Sequence, residues 1–120
     1  MKLIGRFALV LIWLWVSGFL SCSRSDGAEL VRAKIRAGAL IVDVRTPAEF
    51  ASGHYPGAVN IPLQELDRRL AEMGPRNRPV VVYCRTGNRS GKAKAILLNA
   101  GFTDVINGGG LREMPPTEKK

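Results

Sequence analysis

Cysteine is scarce in this chain of 120 residues, which carries two, Cys22 and Cys84. So low a count excludes a scaffold held by disulfides in place of a core. Histidine is scarcer: His54 stands alone, and no histidine–cysteine cluster has zinc spacing, so no metal and no other cofactor is expected. Aromatic residues make up 7%, which leaves the core to Val, Ile, Leu and Ala. Internal repeats and low-complexity tracts are absent. Acidic residues number ten against 18 basic, for a net charge of +8. The basic residues are spread, without blocks or interleaved aromatics, which argues against nucleic acid and leaves small anions as a use for the charge.

One long apolar run is present, at the N-terminus. Lys2 and Arg6 precede Phe7–Leu20, which is uncharged and almost wholly apolar. This is the layout of a secretory signal, and the run is short for a membrane span of about 20 residues. Residues 1–21 are therefore expected to be a signal peptide of lipoprotein type, with an uncleaved anchor as the alternative. Cys22 follows Phe19-Leu20-Ser21 and resembles the lipidated cysteine of a bacterial lipobox, although Phe19 stands where Leu is usual. Cleavage near Ser23 without lipid is the competing reading. Either way the protein is expected to be exported to the periplasm or cell envelope. A polar tether, 22–27, leads to one domain over 28–114, and 115–120 reads as a flexible tail.

Within the domain the pattern alternates. Ala28–Ala37 reads as a helix stopped by Gly38, and Ala39–Val44 as a buried strand. Thr46-Pro47-Ala48-Glu49 is a capping-box helix start, ending near Gly53. His54–Pro62 is a turn into a short extended segment. Leu63, Leu66, Leu70 and Met73 share one helix face, closed by Gly74-Pro75. Val80–Tyr83 is a second buried strand, Gly91–Ala100 a helix, Phe102–Ile106 a last strand and Gly108–Gly110 a flexible turn. Alternation of this kind specifies an α/β fold, a mostly parallel sheet flanked by helices on both faces, with ligands at the carboxyl ends of strands.

Cys84 occupies such an end. The run Cys84-Arg85-Thr86-Gly87-Asn88-Arg89-Ser90 joins a strand to a helix, where backbone N–H groups and the helix N-terminus supply positive potential. Arg85 and Arg89 add two permanent charges. A thiol there ionises below its free value of ~8.5, which makes Cys84 a nucleophile toward an anionic substrate. A purely structural core cysteine would need none of these neighbours.

These blocks, together with Asp43-Val44-Arg45, Gly53–Pro62 and Gly101–Leu111, resemble the signatures of the single-domain rhodanese family over residues 28–114. The resemblance implies a thiosulfate sulfurtransferase without cofactor. Cys84 would take a sulfane sulfur as a persulfide and pass it to cyanide or a dithiol. Arg85 and Arg89 would hold the anionic end of the donor. Amides of Thr86, Gly87, Asn88, Arg89 and Ser90 would stabilise the persulfide, and Gly87 would let the loop curl. Asp43 is expected to pin a neighbouring loop, Arg45 to pair with Glu49, and His54 to pack in its turn. The partners expected are a small anionic donor and a thiol or cyanide acceptor, with the membrane reached through the N-terminus and the protein a monomer. Rival readings are a persulfide carrier or binding module for a dedicated envelope partner, and a cysteine-loop phosphatase or arsenate reductase. Tyrosine phosphatases place five residues between cysteine and arginine, whereas four separate Cys84 from Arg89, too tight for a tetrahedral phosphate.

Overall fold

The computed structural model describes residues 23–118, and side chains from Gly27 onward. The segment read as a signal and Cys22, read as its lipid site, lie outside the described residues. Among those described, no helix is long and apolar enough to cross a membrane.

Four parallel strands form one sheet in the order β2-β1-β3-β4: β1 Leu40–Asp43, β2 Val59–Asn60, β3 Val80–Cys84 and β4 Val105–Gly110. Side chains alternate across the sheet, as the two-residue period of a strand requires. Val42, Val44, Val80, Val82 and Cys84 face one side, with Leu66, Met73, Ala93, Leu97 and Phe102. Ile41, Val81 and Tyr83 face the other, with Val31, Tyr55 and Met114. The first layer is closed by α3, Asn88–Asn99, and by two short 3₁₀ helices, Leu63–Arg68 and Leu70–Met73. The second is closed by α1, Ser23–Arg36, and by the 3₁₀ turn Leu111–Glu113. The expected single α/β domain with helices on both faces is what forms.

Local chemistry explains α2, Pro47–Ala51. Thr46 accepts from the Glu49 N–H at 3.2 Å, the Glu49 carboxylate receives the Thr46 N–H, and Pro47 opens the first turn. This is the expected capping box, and it fixes where the Glu49 carboxylate sits.

Several expectations need correction. The residues read as a tether are helical from Ser23, so α1 starts earlier than position 28. One glycine costs a helix only about 1 kcal/mol, and Gly27 does not end it. Leu63–Met73 buries Leu66 and Met73 as expected, but in 3₁₀ turns, whose period of three suits the same spacing. Gly108–Gly110 is not a flexible turn; it completes β4. A Cβ at Gly108 would lie 2.6 Å from Met114 Sδ, so the missing side chain is room for a neighbour. Of the tail read as flexible, Pro115 is buried and Glu118 accepts from Arg36 Nε at 2.8 Å.

Candidate active site

Strand β3 ends at Cys84 on the α3 side of the sheet, with no surface exposed. The chain then turns through Arg85-Thr86-Gly87 into α3. Gly87 takes φ +96°, a left-handed conformation that costs glycine nothing, and this turns the loop's amides inward over the sulfur. The Gly87 N–H donates to Sγ at 3.0 Å, and the Ser90 hydroxyl stands 3.4 Å from it. Burial pushes the thiol pKa up. Hydrogen bonds from the Ser90 hydroxyl and from the Ser90, Thr86 and Gly87 amides outweigh that, and hold it below the usual cysteine range. The sulfur expected as the nucleophile therefore sits among donors that favour its thiolate, most of them backbone dipoles.

A second strand clamps the loop. Asn107, in β4, accepts the Ser90 hydroxyl at 2.7 Å and the Gly109 N–H at 2.9 Å, and donates through Nδ2 to the Gly87 carbonyl at 3.1 Å. One residue is inserted into β4 just beyond: Val82 pairs with Asn107, but Cys84 pairs with Gly110. This bulge, with Gly109 at φ +83°, brings Gly110 against the Arg85 carbonyl. Asn107 and Gly110 were missed by sequence reasoning, which ended the last strand at Ile106. A glycine run at a strand's carboxyl end was the available signal.

Asp43 is fully buried, and Arg45 satisfies it. The Arg45 N–H and Nε reach Oδ1 at 2.9 Å, and a terminal guanidinium nitrogen reaches Oδ2 at 2.7 Å. Tyr83 Oη donates to Oδ2 at 2.8 Å and accepts the Tyr55 N–H at 2.9 Å. Burial first, then the hydrogen bond to Asp43 and its charge, push the Tyr83 hydroxyl up to about 12, so it stays a donor at any physiological pH. Arg45 also donates to the Gly53 carbonyl at 2.7 Å, and so links Asp43 to the segment after α2. Arg45 was expected to pair with Glu49, and this is corrected. A buried carboxylate two residues away, on the same strand face, claims it first, since breaking such a pair costs about 3–5 kcal/mol.

Glu49 pairs instead with Arg89, in a two-pronged bridge of 2.7 and 3.0 Å. Hydrogen bonding from Arg89, with help from Thr46, lowers the Glu49 carboxyl to about 2. Arg89, expected beside Arg85 on the donor, is thus already matched. His54 stacks on Phe50 with ring centroids 3.7 Å apart and donates from Nδ1 to the Phe50 carbonyl at 2.9 Å. Asn88 and Thr86 are exposed.

A cleft of about 500 Å³ opens beside the loop, lined by Arg45, Glu49, Gly53, Arg85, Thr86 and Arg112 among others. A larger one, about 660 Å³, lies between α1 and β4, with Glu113 as its one ionisable group. The smaller adjoins Arg85 and Thr86, the residues that follow Cys84, and carries the cationic side chains of Arg45, Arg85 and Arg112 on its wall.

Residues 27–113 match the family model described as Rhodanese-like domain, and the chain belongs to that family. It is an enzyme of the rhodanese type, a sulfurtransferase. Among curated relatives, thiosulfate sulfurtransferase PspE of Escherichia coli (strain K12) is 46% identical over 74 residues, which is 61% of this chain and 71% of the relative. A sulfurtransferase of Allochromatium vinosum is 46% identical over 68 residues, 57% of this chain and 63% of that one. Among solved structures, an E. coli rhodanese with anions superposes with a TM-score of 0.61 at 42% identity, over 68% of this chain and 99% of that one. A human single-domain sulfurtransferase gives a TM-score of 0.65 at 30% identity, over 71% and 88%.

Proposed function

We propose that the chain moves sulfane sulfur from thiosulfate or a similar anionic donor, through a Cys84 persulfide, to a thiophilic acceptor such as cyanide or a dithiol. The Cys84 thiolate attacks the terminal sulfur of the donor. The donor's sulfur–sulfur bond breaks, and sulfite leaves with the electron pair. The outer sulfur of the persulfide carries the negative charge, under the loop amides that held the thiolate. An acceptor nucleophile then attacks that sulfur, and the thiolate returns as leaving group. No base is needed, because the attacking group is already ionised and the leaving sulfite needs no proton.

The observation that carries this reading is the convergence of donors on one sulfur atom, the Gly87 N–H at 3.0 Å together with the Ser90 hydroxyl at 3.4 Å, whose one proton is shared with Asn107. Donors that converge on a single atom suit a thiolate or persulfide better than a tetrahedral phosphate. The apolar leader supports export, with Cys22 as a lipid attachment point at the envelope.

The test is to purify residues 24–120, add thiosulfate and weigh the protein. A gain of about 32 Da, one sulfur atom held covalently, is expected in the wild type and not in Cys84→Ser. No gain in the wild type, or Cys84-dependent hydrolysis of an aryl phosphate, overturns the reading. A stable persulfide that cyanide and small dithiols fail to discharge would point to a carrier for a dedicated partner.

A further inference from the structure

We propose that the donor anion is held by two arginines from separate loops, Arg85 and Arg112, and that Arg89 takes no part in holding it. This rests on the sulfur-transfer reading of the same cleft and names the groups that recognise its substrate.

Charge accounting within the cleft leads there. Arg45 is committed to Asp43 and to the Gly53 carbonyl. Both oxygens of Glu49 are taken by the two terminal nitrogens of Arg89. Those four charges cancel in pairs. Arg85 and Arg112 remain; both are exposed, and among the described residues neither has a carboxylate within ion-pair distance. Glu113, the neighbour of Arg112, packs against Gly109 and Gly110 and lines the other cleft.

Topology brings the two arginines together. The β4 bulge sets Gly110 opposite Cys84 and against the Arg85 carbonyl, and Arg112 lies two residues on, in the turn Leu111–Glu113. Both line one cleft, together with Thr86 of the cysteine loop. Two unmatched guanidinium groups suit a dianion, each able to grip two oxygens of a sulfonate with paired N–H donors. A donor held so by its oxygens has its terminal sulfur free to reach Cys84.

Alkylation of Cys84 by iodoacetate and by iodoacetamide tests this without sulfur chemistry. The two reagents are nearly the same size and must pass the same loop to a buried sulfur, so the ratio of their rates reads the field in the cleft. Arg112→Ala and Arg85→Ala should each lower the iodoacetate-to-iodoacetamide ratio about fivefold, the effect of one charge across a partly screened cleft. Arg112→Lys should keep most of it. Arg78→Ala, at the opposite end of the sheet, should leave it unchanged. The double variant Glu49→Gln/Arg89→Gln, which removes that pair together, should stay within about twofold of wild type. In turnover, Arg112→Ala should raise KM for thiosulfate by a similar factor, with discharge to a neutral thiol unaffected. An unchanged ratio and KM in Arg112→Ala overturn the proposal, as does a double variant that falls as far as Arg112→Ala. If the ratio responds as stated but the wild type takes no sulfur from thiosulfate, the anion site stands and the sulfur-transfer reading fails.

Discussion

Gly110→Ala adds one methyl group at the point where β4 meets the cysteine loop. The backbone there has φ −84° and ψ 160°, which any residue adopts, so no torsional strain is introduced. The effect is one of contact alone. The new Cβ would lie 3.0 Å from the Arg85 carbonyl carbon and closer still to its oxygen, both backbone atoms that cannot rotate aside. To restore ordinary contact the carbonyl must withdraw by roughly 1 Å. Arg85 adjoins Cys84, so this displacement enters the ring of donors around the sulfur, where misplacement by about 1 Å costs on the order of 10² in rate. If the loop resists, the strain appears as overpacking of about 1–3 kcal/mol, some 5–15 °C in Tm for a domain of this size. Gly91→Ala is the control. It lies inside α3, where a Cβ would meet Asn107 Nδ2 at an ordinary 3.5 Å, so the variant should gain about 0.5–1 kcal/mol with transfer intact. Thermal unfolding and sulfur-transfer rates of both variants provide the measurement. A Gly110→Ala protein with wild-type rate and unaltered Tm would refute the steric argument.

Three further outcomes are expected. Ser90→Ala removes the hydroxyl beside Sγ, so the Cys84 thiol pKa should rise, read from thiolate absorbance against pH; an unmoved curve would show that the amides alone hold the thiolate. The Glu49 carboxyl is depressed in the folded state, so its pair with Arg89 stabilises above the unfolded value near 4.5, and that stability is lost as pH falls toward about 2. After discounting for solvent screening the pair contributes on the order of 1–2 kcal/mol. Glu49→Gln should therefore flatten the acid limb of the stability curve in that window, and an unchanged limb would count against the pair. In a native host, wild type should incorporate a tagged fatty acid and Cys22→Ala should not; equal labelling of both, or of neither, would reject Cys22 as the lipid site.

The fold and the donor-lined cysteine loop were legible for one physical reason, that local patterns reported them. The apolar strand before Cys84, the polar loop behind it and the Thr46–Glu49 capping box each lie within a few consecutive residues. Illegible were the partners chosen across the sheet. Glu49 lies four residues from Arg45, and a local rule pairs them; the structure pairs Glu49 with Arg89, because buried Asp43 has the stronger claim on Arg45. Tyr83 and Asn107 show the same limit, since their roles arise only when β3 is set beside β1 and β4. The glycine run was misread because composition alone does not distinguish a residue that lacks a side chain for flexibility from one that lacks it to make room.

The parallel order of the strands also sets the moment at which the protein becomes reactive. The Tyr83–Asp43 and Arg89–Glu49 contacts each join residues 40 apart in the chain, and the Ser90–Asn107 contact spans 17. Contacts between distant segments form late, because loop closure must come first. The donors nearest Cys84 are local, but they depend on α3, and a helix of 12 residues is marginal in water until it packs on β3 and β4. A chain still unfolded therefore carries a cysteine of ordinary acidity, mostly protonated at neutral pH and slow toward electrophiles. The low thiol pKa therefore depends on the folded loop, where the sulfur is also buried. A polypeptide that is exported unfolded would thereby pass through its journey with an inert thiol and acquire a nucleophile only on arrival.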